Sequence, residues 1–193
     1  DTDGYKYTSR IQGYVDVTLL KGLTFRMTQG FTFGDNVSRS TYGRDSYTTV
    51  MANGDKTSAT ATSTHNYSWT NQNILSYVKE FNRNHRINAT AVFEQMYSDD
   101  FIHKTEAKGG LVSTIIGANN TALGDVMYAS GERTKTAMMS WMGRVNYVLM
   151  DRYMLTASWR YDGSSRLDKD NRWEQFPSVA LAWNAKQERF LRD

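Results

Sequence analysis

The chain has no cysteine and a single proline in 193 residues. Without thiols there are no disulfides, no thiolate nucleophile and no cysteine-type zinc site. No run of 18 apolar residues occurs, which excludes a transmembrane helix. Charge of one sign is also scarce: 23 Lys and Arg against 20 Asp and Glu leave a net charge of +3, and the charges are scattered, so a nucleic-acid partner is not indicated. The three histidines, His65, His85 and His103, lie far apart with no metal-ligand spacing. The serines have no base and orienting acid beside them that would make a nucleophilic triad. Nothing here predicts an enzyme, a cofactor or a metal site.

What the chain does have is aromatic residues, 12 Tyr, 8 Phe and 5 Trp, in a polar background of mean hydropathy −0.62. The two facts are reconciled by alternation. In a strand, successive side chains point to opposite faces, so one greasy and one polar face average out in any window. The segment from Ser140 to Trp183 shows this most plainly. Its odd positions read Trp141, Gly143, Val145, Tyr147, Leu149, then Tyr153, Leu155, Ala157, Trp159, Tyr161, while Met142, Arg144, Asn146 and Thr156, Ser158, Arg160, Asp162 alternate with them. A greasy face with aromatics toward its ends is the pattern of a strand facing lipid on one side and water on the other.

The same period runs through the rest. A strand from about residue 9 to 20 carries Ile11, Val15, Val17 and Leu19 on its odd face. Lys21 and Gly22 make a tight turn, and the return strand carries Leu23, Phe25, Met27, Phe31 and Phe33, interrupted by Gln29. Further strands are expected over about 67–81 and 86–97. Asn71 and Asn73 fit a hydrocarbon face poorly and suggest a strand taller than the bilayer. Residues 36–64, 98–135 and 162–175 read as long loops, with a small apolar element, LVSTII, inside the second. Tyr42, Tyr47 and Tyr128 are then loop aromatics, placed either to pack the loops or to stack on sugar rings. Short turns fall near Lys21–Gly22, Asn82–His85 and Asp151–Arg152. This strict alternation of short and long connections is that of outer-membrane barrels. The expected fold is all-β: about seven antiparallel strands of an up-and-down transmembrane β-barrel, part of a larger barrel, with long extracellular loops. A small outer-membrane adhesin or pore and a soluble glycan-binding β-sandwich are the alternatives.

Candidate residues follow from parity. Asp16, Arg26, Glu94, Arg144, Asn146 and Arg160 fall on the polar, lumen-facing side, where they either line a solute path or contact one another and a plug. Trp69, Trp141, Tyr147, Trp159, Tyr161 and Trp183 fall on the lipid-facing side as girdle residues. The loop DGSSRLDKDNRW offers Asp162, Asp168 and Asp170 as hard oxygen donors, but not at EF-hand spacing. A hydrogen-bonded loop, with Arg166 and Arg172 paired to carboxylates and Trp173 and Phe176 as anchors, is the expectation.

The stretch RYDGSSRLDKDNRWEQFPSVALAW resembles the SusC/RagA family of TonB-dependent outer-membrane transporters of Bacteroidetes. Arg160, Asp162, Gly163, Ser164, Ser165, Arg166, Asp170, Asn171, Arg172, Trp173, Phe176, Pro177, Ser178 and Trp183 match the family's R-x-DGSSRF-x-x-DNRW-x-x-FPS-x-x-x-x-W run. Leu167 replaces its usual Phe. The upstream GRVNY and YMLTAS are similar to the two preceding strands of that family. The resemblance implies a place in the outer membrane of a Gram-negative bacterium and import of a glycan or peptide with TonB energy. It also implies a SusD-type surface lipoprotein as partner. Residues 1–193 are then expected to be part of a receptor barrel domain, with no signal peptide, plug domain or TonB box among them.

Overall fold

The computed structural model describes residues 2–43, 57–82, 84–110 and 117–188. Seven strands form one antiparallel sheet in sequence order: β1 Thr2–Leu20, β2 Leu23–Tyr42, β3 Ser58–Phe81, β4 His85–Lys108, β5 Val126–Leu149, β6 Tyr153–Ser164 and β7 Trp173–Trp183. The expected meander is therefore present, and the sheet is open at β1 and β7. Four strands begin or end well inside the segments read as loops. β2 runs to Tyr42, β3 starts at Ser58, β4 runs to Lys108 and β5 starts at Val126. Tyr42 and Tyr128 are accordingly strand residues, not loop residues, while Tyr47 and LVSTII lie outside the described residues.

The chain divides into two compact units, one of residues 1–10, 32–68 and 98–135, the other of 11–31, 69–97 and 136–193. In the first, the buried apolar side chains among the described residues are Ala59, Ala107 and Ala118. The second has no core of that kind. Val145 is 45% exposed, Leu155 38% and Leu181 80%, which is the opposite of what a closed β-sandwich requires.

Register puts these residues on one face. Trp141 pairs with Tyr161, Val145 with Ala157 and Tyr147 with Leu155. Leu155 in turn pairs with Leu181, Ala157 with Val179 and Tyr153 with Trp183. Directly opposed residues share a face, so the odd positions of β5 from Trp141 to Leu149, with those of β6 and β7, make one largely apolar surface.

The three short turns are stitched to their neighbours, all within the second unit. Val78 N donates to Gly22 O at 2.7 Å, Met150 N to Asn84 O at 2.6 Å, and Asn184 N to Arg152 O at 2.7 Å. At Gly22 φ is +84°, and a Cβ there would come within 2.3 Å of Val78 O. Only glycine satisfies both demands. The β5–β6 turn is less well matched. Met150 and Asp151 both adopt positive φ, 55° and 56°, with Arg152 N bonded to Leu149 O at 3.0 Å. Two successive left-handed residues make a type I′ turn, whose preferred sequence is Asn-Gly.

These two turns predict opposite signs. Gly22→Ala should destabilise the folded barrel by about 2 kcal/mol or more, whereas Met150→Asn should stabilise it by up to about 1 kcal/mol. Urea titrations of the full receptor in detergent, followed by the mobility difference between folded and unfolded barrels on gels, will resolve both.

Candidate functional site

The polar face is built from even positions, and most of its charges are neutralised across or along strands. Arg26 of β2 grips Asp16 of β1 through both carboxylate oxygens, at 2.6 and 2.7 Å, and its guanidinium lies 5.0 Å from the Tyr14 ring centroid. Gln72 of β3 donates to Glu94 of β4 at 2.7 Å. Thr156 donates to Asn146 at 2.9 Å. Arg160 bonds both oxygens of Asp162 at 2.7 Å and reaches Ser140 at 3.3 Å. All six sequence-derived polar candidates thus share a parity, and five have a side-chain partner. Arg144, directly opposite Ser158, has no side-chain partner among the described residues.

The aromatic candidates line the other face in two groups. Toward the long-loop end, Phe93 packs on Trp141 with centroids 4.2 Å apart, Trp159 stacks on Tyr161 at 5.7 Å, and Tyr161 on Trp173 at 4.8 Å. Trp159 Nε1 donates to Gln175 at 3.2 Å, which satisfies its polar edge on an apolar surface. At the short-turn end, Tyr147 meets His85, with the phenol oxygen 2.5 Å from Nδ1, and Tyr153 pairs with Trp183. Asn73 donates its amide to Asn71. The two residues that fit a greasy face worst therefore satisfy each other.

The motif loop is a hairpin between β6 and β7, and its shape accounts for much of its spelling. Gly163 and Trp173 are cross-strand partners. A Cβ on Gly163 would lie 2.7 Å from the Trp173 ring, so the glycine makes room for the indole. Ser165 extends pairing to β5: its N donates to Ala137 O at 2.9 Å and its Oγ accepts from Ala137 N at 2.8 Å. Asp168 caps the short 3-10 turn Lys169–Asn171, accepting from Lys169 N at 2.8 Å. Phe176 opposes Arg160 and so lies on the polar face, away from Trp173. Arg166 and Arg172 make no ion pair among the described residues, contrary to the expected loop pairing; Asp162 is engaged with Arg160 and Asp168 with the backbone. No group of three or more His, Asp or Glu that could hold a metal ion occurs among the described residues.

One functional residue went unnoticed in the sequence. Glu188, 8% exposed, follows the 3-10 turn Ala185–Gln187 and accepts three hydrogen bonds: from Tyr153 Oη at 2.7 Å, Arg152 Nη1 at 3.0 Å and Trp183 Nε1 at 3.3 Å. A single carboxylate orients both aromatics at the short-turn end and ties the end of β7 to the β5–β6 turn. Those donors, Tyr153 first and Trp183 next, hold its carboxyl below the usual glutamate range. The signal was present only as two polar aromatics that would each need an acceptor.

No family model matches the chain. The TonB-dependent receptor SusC of Bacteroides thetaiotaomicron is 53% identical over 60 residues, covering 31% of this chain and 6% of that protein. The TonB-dependent receptors P39 and P3 of Formosa agariphila are 28% and 31% identical over 98% and 96% of the chain. Among solved structures, a RagAB peptide transporter matches the whole chain with a TM-score of 0.85 at 17% identity. The chain spans 18% of P39 and of P3 and 21% of the matched RagAB chain. The fold and its surface define a segment of an outer-membrane β-barrel. More specifically, the chain is a SusC/RagA-like segment of a TonB-dependent receptor barrel.

Because the depressed Glu188 pKa means that the folded state binds its proton less readily than the unfolded state, this carboxylate's contribution is present above the unfolded glutamate value. It is lost as pH falls through the lower, folded value. The full receptor should therefore lose unfolding midpoint as pH drops below the ordinary glutamate range. Glu188→Gln should start lower and show less of that acid loss, a difference read from denaturation midpoints across the acidic range.

Proposed function

We propose that this chain forms part of the wall of an outer-membrane importer that takes up glycans or peptides with TonB-derived energy and works with a SusD-type surface lipoprotein. The observation that carries the reading is the seven-strand meander itself, which matches the RagAB barrel along its whole length and exposes its apolar odd row. The name of one structural neighbour, a peptide transporter, supports the peptide class. The glycan class and the lipoprotein partner are inferred from the family resemblance.

In this reading the second unit is the membrane-spanning belt, with odd residues toward lipid. Its height supports that assignment. From Trp173 to Trp183 the chain rises roughly 33 Å along the strand, which at a tilt of about 40° is roughly 25 Å along a barrel axis, the height of an outer-membrane apolar band. Trp69, Trp141, Trp159 and Tyr161 then form the outer girdle, and Tyr147 and Trp183 the inner one. The lumen receives Asp16, Arg26, Glu94, Asn146 and Arg160, each hydrogen-bonded or ion-paired to a neighbour, as polar groups in a narrow plugged interior need to be. Arg144 is left to meet the plug or the solute. The motif residues from Asp162 to Trp173 shape the outer hairpin, and Phe176, Pro177 and Ser178 carry it into β7.

Active import distinguishes this role from a passive pore. Cells carrying the full receptor should accumulate the solute, and accumulation should stop both on deleting the receptor and on collapsing the inner-membrane proton gradient. Uptake that continues after the gradient is collapsed would refute energised import.

Orientation has its own test. Val179→Arg, on the lipid side, should cost about 2–4 kcal/mol of barrel stability, while Ala180→Arg, one residue on and facing the lumen, should cost far less. Equal costs in urea unfolding would contradict the parity assignment.

A further inference from the structure

A groove of about 290 Å³ opens on the odd face of the second unit, beneath the motif hairpin. Trp69, Tyr97, Met139, Trp173 and Arg172 are among the residues that line it. Met139 opposes Gly163 and Gly163 opposes Trp173, so the groove continues the apolar row that carries Trp141, Trp159 and Tyr161. It lies at the end of that row where the aromatic girdle gives way to the hairpin.

Two features narrow what fits. The walls are flat rings and thioethers, which accept a flexible hydrocarbon chain. At the mouth, the Arg172 guanidinium has no carboxylate or other side-chain partner among the described residues, unlike Arg26, Arg86, Arg133, Arg152 and Arg160, each of which has one. A planar, weakly hydrated cation beside aromatic rings matches a phosphate in fork geometry. An apolar slot leading to a lone guanidinium at headgroup height is complementary to one kind of molecule, a lipid whose headgroup carries net negative charge.

We propose that the groove is a seat for an anionic outer-leaflet lipid, with an acyl chain between Trp69, Tyr97 and Trp173 and the phosphate on Arg172. The site rests on the outward orientation of the odd face. It is distinct from the solute path, since the polar even face does not contribute its charged row. Its consequence is mechanical: an anionic lipid held there braces the hairpin that Gly163, Ser165 and Trp173 fix, from the membrane side.

The test uses the full receptor, delipidated in dodecyl maltoside and titrated with palmitoyl-oleoyl phosphatidylglycerol or with phosphatidylcholine of the same chains, bound lipid being counted by native mass spectrometry. Wild type should retain the anionic lipid roughly fivefold better than Arg172→Gln does, the effect expected of one cation near an anionic headgroup. Retention of phosphatidylcholine should differ little between the two. Arg166→Gln, in the same loop but outside the groove, should behave as wild type. Unchanged phosphatidylglycerol retention in Arg172→Gln would overturn the proposal. So would displacement of the lipid by excess inorganic phosphate alone, which would mark a free-anion site. If Val179→Arg proves harmless, the orientation fails with it. If Val179→Arg is disruptive and Arg172→Gln changes nothing, only the lipid seat fails.

Discussion

A sheet whose apolar face has no second layer over it among the described residues is stable where the solvent on that side is hydrocarbon. Everything in the second unit follows from that constraint. Strand parity is held through turns that are bonded to their neighbours at Gly22, Asn84 and Arg152, because a slip of one residue would turn the whole apolar row toward water. Backbone groups of the strands are satisfied sideways, strand to strand, as hydrocarbon demands. Polar atoms that must appear on the greasy face find partners on that face: Asn73 with Asn71, Trp159 with Gln175, Tyr147 with His85. Stability then comes from register and from local satisfaction of polar groups rather than from a packed interior.

The opposite face obeys a complementary rule. Asp16–Arg26 and Arg160–Asp162 close as ion pairs, and Glu94 accepts from the neutral Gln72, each within one or two strands, so most polar groups of the wall have a partner on that same face. Arg144 has no side-chain partner among the described residues, and an open cation is where a carboxylate from outside the chain would be felt. At the short-turn end, Glu188 plays a related part. Its three donors come from Arg152, Tyr153 and Trp183, so an interfacial pair of aromatics and the exit of β7 are fixed by one buried anion.

The sequence was legible wherever one face meets a different medium from the other. Trp141 to Leu149 and Tyr153 to Tyr161 alternate because lipid and water select for different side chains, and the structure pairs them in that register. Legibility fails where the two faces do not meet media as different as lipid and water, and where the buried side chains are as small as Ala59 and Ala107. Residues such as Ser58–Thr64 and His103–Lys108 are strands whose composition, rich in Ser, Thr, Lys and Glu, carries no contrast of period two, and they read as loop. Glu188 escaped notice for another reason: its role is set by donors some 35 residues earlier in the chain, Tyr153 and Arg152, and no local pattern records it. Gln29, which breaks the apolar row of β2, has no structural explanation.

The motif was the most readable feature of all, yet its residues do unlike things. Gly163 is there because Trp173 lies across it, Ser165 because the hairpin pairs back onto Ala137, Asp168 because a 3-10 turn needs a cap. Each is satisfied within the hairpin or by the strand beside it. The Arg172 side chain has no partner among the described residues, and unlike Arg166 it lines the groove. In the proposed lipid seat, it is the negative charge of a headgroup that this open guanidinium would answer.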